Sequence, residues 1–291
     1  MNGRPESTAT VSAPAKINLY FNVTGLRADG YHLVDSLIGF TTLGDMLTID
    51  GDAPLDIVCD GPFSRELPPS RQNLVYRAAQ NLAEAAGIPA RGRITITKNL
   101  PVASGIGGGS SDAAAAMKAL AALWRIPDEA VNLAEIGLAL GADLPVCLLA
   151  RTTYAGGIGE TLEDAPKLPP TGMLLVNPGV GVATAAVFGA RQGGFSTPNR
   201  LEHAPADIAE LAAMLAQRGN DLTDAAIRLC PVVSDVLTVL ERTPGCLLAQ
   251  MSGSGATCFA LFEDMAGARR AAGTIDRDGW WIAPTELITP A

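Results

Sequence analysis

The feature that most constrains this chain is a glycine-rich loop between a predicted strand and a predicted helix. Residues 93–99, RITITKN, alternate β-branched with polar side chains, which is typical of a half-buried strand. The loop PVASGIGGGSSDA follows at residues 101–113, and an alanine-rich segment with helical spacing continues to Trp124. Glycines let backbone N–H groups approach a ligand, and a helix N-terminus carries partial positive charge. This order of elements therefore predicts an anion site suited to phosphate.

The loop matches neither of the two common nucleotide-binding motifs. It lacks the Gly-Lys-Ser/Thr ending of a P-loop, and Gly105-x-Gly107 leads to Ser110 instead of the third glycine of a dinucleotide fingerprint. The alternative is a flexible turn followed by a helix that Ser110 or Ser111 caps. Both interpretations stay open on this segment alone.

Length and composition predict a two-domain protein of mixed α and β structure. At about 150 residues per domain, 291 residues correspond to about two domains. The glycine- and proline-rich residues 155–172 predict a boundary near residue 155, which divides the chain into domains 1–155 and 156–291. Residues 73–87 predict a helix that Asn73 caps, residues 222–242 predict a helix interrupted at Pro231, and the polar residues 188–205 predict a mobile surface loop.

The charge balance and the cysteines exclude several classes of function. The net charge of −9 argues against a nucleic-acid-binding or membrane-surface protein, and no apolar run reaches the about 18 residues needed to span a bilayer. The five scattered cysteines indicate buried thiols, and two histidines are too few for a His-rich metal centre. The first 16 residues carry no apolar leader, so we expect a flexible lead-in and a cytoplasmic location.

Two motifs near the N-terminus place polar side chains close together in sequence. In PAKINL, Lys16 and Asn18 are two residues apart and share one face of a predicted strand. In RADGYH, a turn precedes Tyr31 and His32. An exposed strand face followed by a turn is the favoured interpretation of these residues alone.

Two later motifs are also ambiguous when each is taken alone. In GADLPV, Asp143 lies among apolar residues and is either a hydrogen-bonding residue at a helix terminus or a functional carboxylate. In MSGSGAT, residues 251–257 form a glycine-rich turn between two strand-like segments, and a tight connection is the simpler interpretation.

Together, in this order and at these separations, the four motifs and the glycine-serine loop resemble the GHMP small-molecule kinase superfamily over nearly the whole chain. The loop of that superfamily has the form PxxxGLGGGSS. The resemblance implies an α+β fold of two domains, an N-terminal ribosomal-protein-S5-like α/β domain and a C-terminal ferredoxin-like α+β domain. It also implies phosphorylation of a small metabolite by ATP with Mg²⁺. RADGYH and GADLPV narrow the expected substrate to cytidine-diphosphate-linked methylerythritol, phosphorylated on its 2-hydroxyl in the non-mevalonate route to isoprenoid precursors.

The resemblance implies a role for each motif. Asp143 would be the general base, and Lys16 beside it would stabilise charge on the phosphoryl group. The ATP phosphates would bind along the loop, whose residues are Pro101, Gly105, Gly107, Gly108, Gly109, Ser110 and Ser111. Adenine would lie near Lys98, Asn99 and Leu100, where backbone groups could read the base. Ser110 or Ser111 could ligate the metal, and Asp112 could be no more than a helix N-terminal charge, so no ligand is assigned.

On the substrate side, the resemblance implies that Asn18 binds the methylerythritol hydroxyls and that Tyr31 and His32 contact the cytosine. Phe188 would close an aromatic sandwich, and Thr184, one helical turn earlier, would contact substrate. A core aromatic is the alternative for Phe188. Gly253 and Gly255 would approach the phosphates or the substrate from the second domain.

Three alternative functions remain open from the sequence. The first is another kinase of the superfamily, acting on homoserine, mevalonate or a sugar. The second is a non-catalytic binding module on the same fold, although such a module has little need of Lys16 and Asp143. The third is a dinucleotide-dependent oxidoreductase, which the missing third glycine disfavours.

Overall fold

The computed structural model describes residues 7–289, which form two compact units. Unit 1 comprises residues 7–15, 44–102 and 107–149, and unit 2 comprises residues 16–43, 103–106 and 150–289. Two long strands, β1 (Thr8–Leu26) and β2 (His32–Pro54), contribute residues to both units. The last segment of unit 2 begins at residue 150, close to the predicted boundary near 155, whereas its two earlier segments carry no sequence signal. The functional division into 1–155 and 156–291 stays a prediction.

Strand β1 corrects the predicted flexible lead-in. Residues 8–15 are strand, and their exposure alternates along the chain, as expected where one face of a strand is covered. Threonine and valine at Thr8, Thr10 and Val11 favour this extended conformation. The first six residues of the predicted lead-in lie outside the described range.

Unit 1 packs helices against a small sheet. Its elements beyond β1 and β2 are β3 (Asp56–Asp60), α1 (Leu74–Ala85), β4 (Arg91–Thr97), α2 (Gly108–Leu123), α3 (Leu133–Leu140) and α4 (Leu144–Leu149). Strand β4 pairs in parallel with β3 and antiparallel with β2. Helices α1 and α2 pack against each other, and each buries small residues such as Ala79 and Ala116. Asn73 caps α1 as predicted, because its Oδ1 accepts the Val75 N–H at 2.9 Å.

Unit 2 contains a second, wholly antiparallel sheet. The elements of this unit that follow β2 are β5 (Thr153–Gly156), β6 (Thr161–Asp164), β7 (Gly172–Asn177), α5 (Thr184–Ala190), α6 (Ile208–Ala216), α7 (Thr223–Leu229), α8 (Val232–Glu241), β8 (Leu248–Met251), β9 (Cys258–Phe262), α9 (Met265–Ala272) and β10 (Trp281–Glu286). The strand order in this sheet is β10-β7-β9-β8. Strand β5 pairs antiparallel with β6 and with residues 36–38 of β2. The predicted interruption at Pro231 is confirmed, because α7 ends before it and α8 begins after it.

The predicted surface loop lacks regular secondary structure beyond the end of α5, but its C-terminal half is anchored. Arg200 Nε donates to Asp35 at 3.0 Å, and the Arg200 guanidinium also pairs with Glu163 and lies 4.8 Å from the Tyr154 ring centroid. Arg218 donates to the carbonyls of residues 199 and 200. These contacts hold the segment to the strands of unit 2.

The prediction of buried thiols holds for three of the five cysteines. All five are free, with Cys147, Cys230 and Cys258 buried and Cys59 and Cys246 half-buried. Across residues 7–289, every helix is too short or too polar to cross a bilayer.

Candidate active site

The glycine-rich loop connects β4 to α2 through three residues in the left-handed conformation, Ala103, Gly105 and Gly107, whose φ angles are 51°, 78° and 65°. Gly107 is the N-cap of α2 and offers no side-chain acceptor to the amides of the first turn. These N–H groups have no acceptor within the helix. The loop thus presents uncapped backbone donors at the positive end of a 16-residue helix, as the predicted anion site requires.

The two serines are not helix caps, so the capping interpretation of this segment is wrong. Ser110 and Ser111 lie inside α2, after the N-cap at Gly107. Ser111 Oγ donates to the backbone carbonyl of Pro14 at 2.7 Å, which ties the first turn of α2 to β1. The Ser111 hydroxyl uses its proton in this bond, so its oxygen remains an acceptor.

The middle of the glycine-rich loop contacts the second glycine-rich turn, residues 252–257. The Thr257 N–H donates to the Ser104 carbonyl at 3.2 Å, and Ser252 Oγ donates to the Gly105 carbonyl at 3.3 Å. A Cβ at Gly105 would lie 2.5 Å from the carbonyl oxygen of Gly255. Only glycine fits this position, because both the positive φ and the close backbone exclude a side chain.

Asn18 lies beside the same turn and presents a buried, unpaired acceptor. Its backbone N–H donates to Ser252 Oγ at 3.1 Å, and its Nδ2 donates to Ser36 Oγ at 2.8 Å. The side chain is 2% exposed, and its Oδ1 accepts no hydrogen bond from residues 7–289. A Cβ at Gly253 would lie 3.0 Å from this oxygen, so the glycine leaves space in front of it. An unpaired buried acceptor is costly unless a ligand donates to it.

Lys16 and Asp143 belong to different units. Lys16 lies on β1 with 5% of its surface exposed, and its backbone N–H donates to the Ile106 carbonyl at 2.9 Å in the glycine-rich loop. Asp143 directly precedes α4, and its carbonyl accepts the Cys147 N–H at 3.2 Å. The pairing of the two side chains stays a prediction.

The predicted cytosine site contains a ring pair that the sequence did not predict. The rings of His32 and Phe188 stack directly, with centroids 4.9 Å apart and planes inclined by 27°, and Phe21 meets Phe188 edge-on at 6.1 Å. Because the two rings already stack on each other, they do not flank a base in this arrangement. Tyr31 is 59% exposed and free to cover a base from another side.

His32 and Thr184, both assigned to the substrate site, have defined surroundings. Burial lowers the pKa of the His32 imidazole below its ordinary value, and the Arg191 guanidinium lowers it further. A neutral imidazole at pH 7 offers one donor and one acceptor, which suits the polar edge of cytosine. Thr184 begins α5, and its Oγ1 hydrogen-bonds Ser254 Oγ at 2.9 Å in the second glycine-rich turn.

The segment expected near adenine has little backbone donor capacity left. The N–H groups of Lys98, Asn99 and Leu100 donate to Asp60 O, to Asp45 Oδ1 and again to Asp45 Oδ1, respectively. The Lys98 side chain is 1% exposed. These N–H groups are therefore already in use, and the expectation that backbone groups of this segment read the base stays a prediction.

Sequence reasoning missed several site residues. Ser252 and Ser254 lie inside the quoted MSGSGAT motif, whose glycines alone were assigned roles. Ser36 and Asp45 carry no local signal, because each acts through a partner far away in sequence. The signal for Ser252 is its hydroxyl group in the MSGSGAT motif, which can hydrogen-bond a polar residue such as Asn18.

The sequence matches two families of known proteins. Residues 73–151 match the GHMP kinases N terminal domain, and residues 201–278 match the GHMP kinases C terminal family. A 4-diphosphocytidyl-2-C-methyl-D-erythritol kinase of Paramagnetospirillum magneticum is 47% identical over 282 residues, which cover 96% of this chain and 99% of the relative. One of Gluconacetobacter diazotrophicus is 48% identical over 294 residues, covering 96% and 95%.

Solved structures agree with these matches. A crystal structure of 4-(cytidine 5'-diphospho)-2C-methyl-D-erythritol kinase superposes with a TM-score of 0.79 at 35% identity and covers 96% of this chain and 99% of that one. A homoserine kinase from Cytophaga hutchinsonii has a TM-score of 0.72 at 17% identity and covers 99% and 97%, which shows the shared fold alone. The predicted α+β fold of two GHMP kinase domains is confirmed. The chain belongs to the GHMP kinase family and is a small-molecule kinase, similar in sequence and structure over nearly its full length to 4-diphosphocytidyl-2-C-methyl-D-erythritol kinases.

Proposed function

We propose that the protein transfers the γ-phosphoryl group of ATP to the 2-hydroxyl of 4-diphosphocytidyl-2-C-methyl-D-erythritol, giving the 2-phosphate and ADP. The observation that carries this proposal is the near full-length similarity to kinases named for that substrate. The stacked His32 and Phe188 beside the exposed Tyr31 support a pyrimidine ligand over homoserine, mevalonate or galactose, which have no aromatic ring. The free cysteines fit a reducing compartment, and the cytoplasm stays the predicted location.

Two side chains are assigned to the chemistry. Asp143 accepts the proton of the 2-hydroxyl as the new P–O bond forms, and Lys16 stabilises charge on the transferring phosphoryl group. Phosphoryl transfer has a loose transition state, so positioning and electrostatics supply most of the rate enhancement. The uncapped first-turn amides of α2 support a role of Gly107, Gly108 and Gly109 in holding the phosphates.

Mg²⁺ belongs to this proposal because it bridges and neutralises the ATP phosphates in such reactions. Mg²⁺ keeps several waters and takes few protein ligands, so a site with few donors fits it. Among residues 7–289, no cluster of three or more His, Cys, Asp or Glu side chains forms a metal site. At the loop, the hydroxyl oxygens of Ser110 and Ser111 would be the metal ligands. The Asp112 carboxylate forms an ion pair with Lys98 instead.

The remaining groups bind and orient the substrate. The unpaired Asn18 Oδ1 accepts a hydrogen bond from a methylerythritol hydroxyl, which removes the cost of its burial. Tyr31 stacks on the cytosine, and the neutral His32 hydrogen-bonds its polar edge. Thr184 and Phe188 on α5, with Gly253 and Gly255 in the second turn, complete the substrate site.

Tyr31→Ala is expected to raise KM for the cytidine substrate about fivefold, because it removes a stacking contact worth about 1 kcal/mol, and to leave KM for ATP unchanged. Steady-state kinetics with each substrate varied in turn measure the two constants. Leu26→Ala is the matched control, because Leu26 lies at the end of β1 and is similarly exposed, at 54%. Equal increases in both KM values would contradict the stacking role.

Phosphorus NMR of the product tests the transfer itself. The proposal predicts a new phosphomonoester resonance, retention of the substrate's diphosphate resonances, and conversion of ATP to ADP. Loss of the substrate's diphosphate resonances would indicate pyrophosphate cleavage and would refute the proposed reaction.

A further inference from the structure

A buried group of three charged side chains lies next to the start of α2. Lys98 Nζ is 2.5 Å from Asp45 Oδ2 and 2.8 Å from Asp112 Oδ2, and all three side chains are at most 2% exposed. One ammonium therefore faces two carboxylates in a region without water access. We call Lys98, Asp45 and Asp112 the charge cluster.

The charge cluster joins the two ends of the phosphate loop within unit 1. Asp45 Oδ1 accepts the N–H groups of Asn99 at 2.6 Å and Leu100 at 2.9 Å, which open the loop. Asp112 belongs to α2, which begins where the loop ends. A Cβ at Gly108, the first residue of α2, would lie 3.0 Å from Lys98 Nζ, so the ammonium directly adjoins the first turn.

The cluster also sets the charge beneath the proposed anion site. Two carboxylates close to a bound triphosphate would repel it, and a single buried ammonium offsets part of their charge. Burial raises the pKa of the Asp112 carboxyl to about 7 against the opposing effect of Lys98, and Asp112 Oδ1 has no hydrogen-bond partner among the described residues. Because replacing such buried ion groups with apolar ones is often neutral for folding, stability alone does not explain the arrangement.

We propose that Lys98 is a positioning residue for ATP, whose ammonium clamps Asp45 and Asp112 beneath the phosphate loop and offsets their charge without touching the nucleotide. The burial of its side chain and its two short ion pairs direct the ammonium to the carboxylates. The inference rests on the proposed function, since it takes the loop to be the ATP site.

Titration calorimetry of Lys98→Met tests the proposal with two probes, the non-hydrolysable analogue β,γ-imido-ATP and the cytidine substrate. Loss of the ammonium removes both ion pairs that hold Asp45 and Asp112 at the start of α2, so the Kd for the analogue is expected to rise at least about tenfold. The Kd for the cytidine substrate is expected to change less than about twofold. Lys118→Met is the control, because Lys118 lies on α2, the helix that carries Asp112, and is exposed. Equal losses for both probes, or an unchanged Kd for the analogue, would overturn the proposal.

A second variant separates a charge clamp from a direct phosphate ligand. Lys98→Met combined with Asp112→Asn replaces one of the two unpaired acids with an amide that can donate to Asp45, so it is expected to recover affinity for the analogue by at least about threefold relative to Lys98→Met. A direct ligand would show no recovery. If Lys98→Met does not fold, the double variant is compared with Asp112→Asn alone and is expected to bind the analogue more weakly; equal binding would overturn the proposal.

The wild-type protein distinguishes this inference from the proposed function. Wild type that binds the analogue but does not phosphorylate the cytidine substrate would overturn the proposed reaction and leave the Lys98 comparison valid. Wild type that does not bind the analogue would overturn both.

Discussion

Asp143→Asn is expected to lower kcat at least about 100-fold while the fold and both KM values remain close to those of the wild type, because the substitution removes a general base and keeps its shape. Asparagine can still hydrogen-bond the substrate hydroxyl, but it cannot accept the proton. Single-turnover measurements with saturating ATP and cytidine substrate isolate this step from product release.

The control for this variant is Glu135→Gln, which removes an exposed carboxylate from α3 of the same unit. It is expected to retain kcat within about twofold. A near-normal kcat in Asp143→Asn would remove the base from the mechanism and leave phosphate positioning as the main contribution to catalysis.

Gly105→Ala is expected to lower kcat/KM for ATP at least about 100-fold, because a misplacement of about 1 Å in a positioning element has effects of that size. The new Cβ would lie 2.5 Å from the Gly255 carbonyl oxygen, and the φ of 78° is itself strained for alanine. The close neighbour is backbone, so the loop and the second glycine-rich turn must move apart.

Gly87→Ala is the matched control for Gly105→Ala. Gly87 also has a positive φ, of 66°, but a Cβ there would meet no described atom within 4 Å. This control is expected to lose about 1 kcal/mol of stability and to keep its activity. Wild-type kcat/KM in Gly105→Ala would show that the loop geometry does not limit catalysis.

Local signals predicted much of the fold. The strand before the phosphate loop, the alanine-rich helix after it, the Asn73 cap and the break at Pro231 each depend on residues adjacent in sequence. Strand β10 carries no such signal, since Pro284 disfavours a strand; the structure places β10 at the edge of its sheet, where proline is tolerated. The serines after Gly107 were considered as helix caps because the left-handed conformation of Gly107 has no distinct sequence signal.

The motifs predicted which residues belong to the candidate site, but not which of them contact each other. The motifs identified Asn18, Gly105 and Gly253, which the structure gathers around one turn. The residues that they contact lie far away in sequence: Asn18 and Ser252, which are hydrogen-bonded, are 234 positions apart. Such contacts depend on the packing of whole elements, so periodicity and spacing do not reveal them. The stacking of His32 on Phe188 is another contact between residues far apart in sequence, and spacing does not reveal it either.

Coupled ADP release with ATP and Mg²⁺ tests the central claim most directly, with four alcohols compared as acceptors. These are 4-diphosphocytidyl-2-C-methyl-D-erythritol, homoserine, mevalonate and galactose. We expect turnover with the cytidine compound and background rates with the other three. Turnover with a different alcohol would leave the roles of the phosphate loop and Asp143 intact but contradict the substrate site of Tyr31, His32 and Phe188. No ADP release with any of the four acceptors would contradict the kinase assignment.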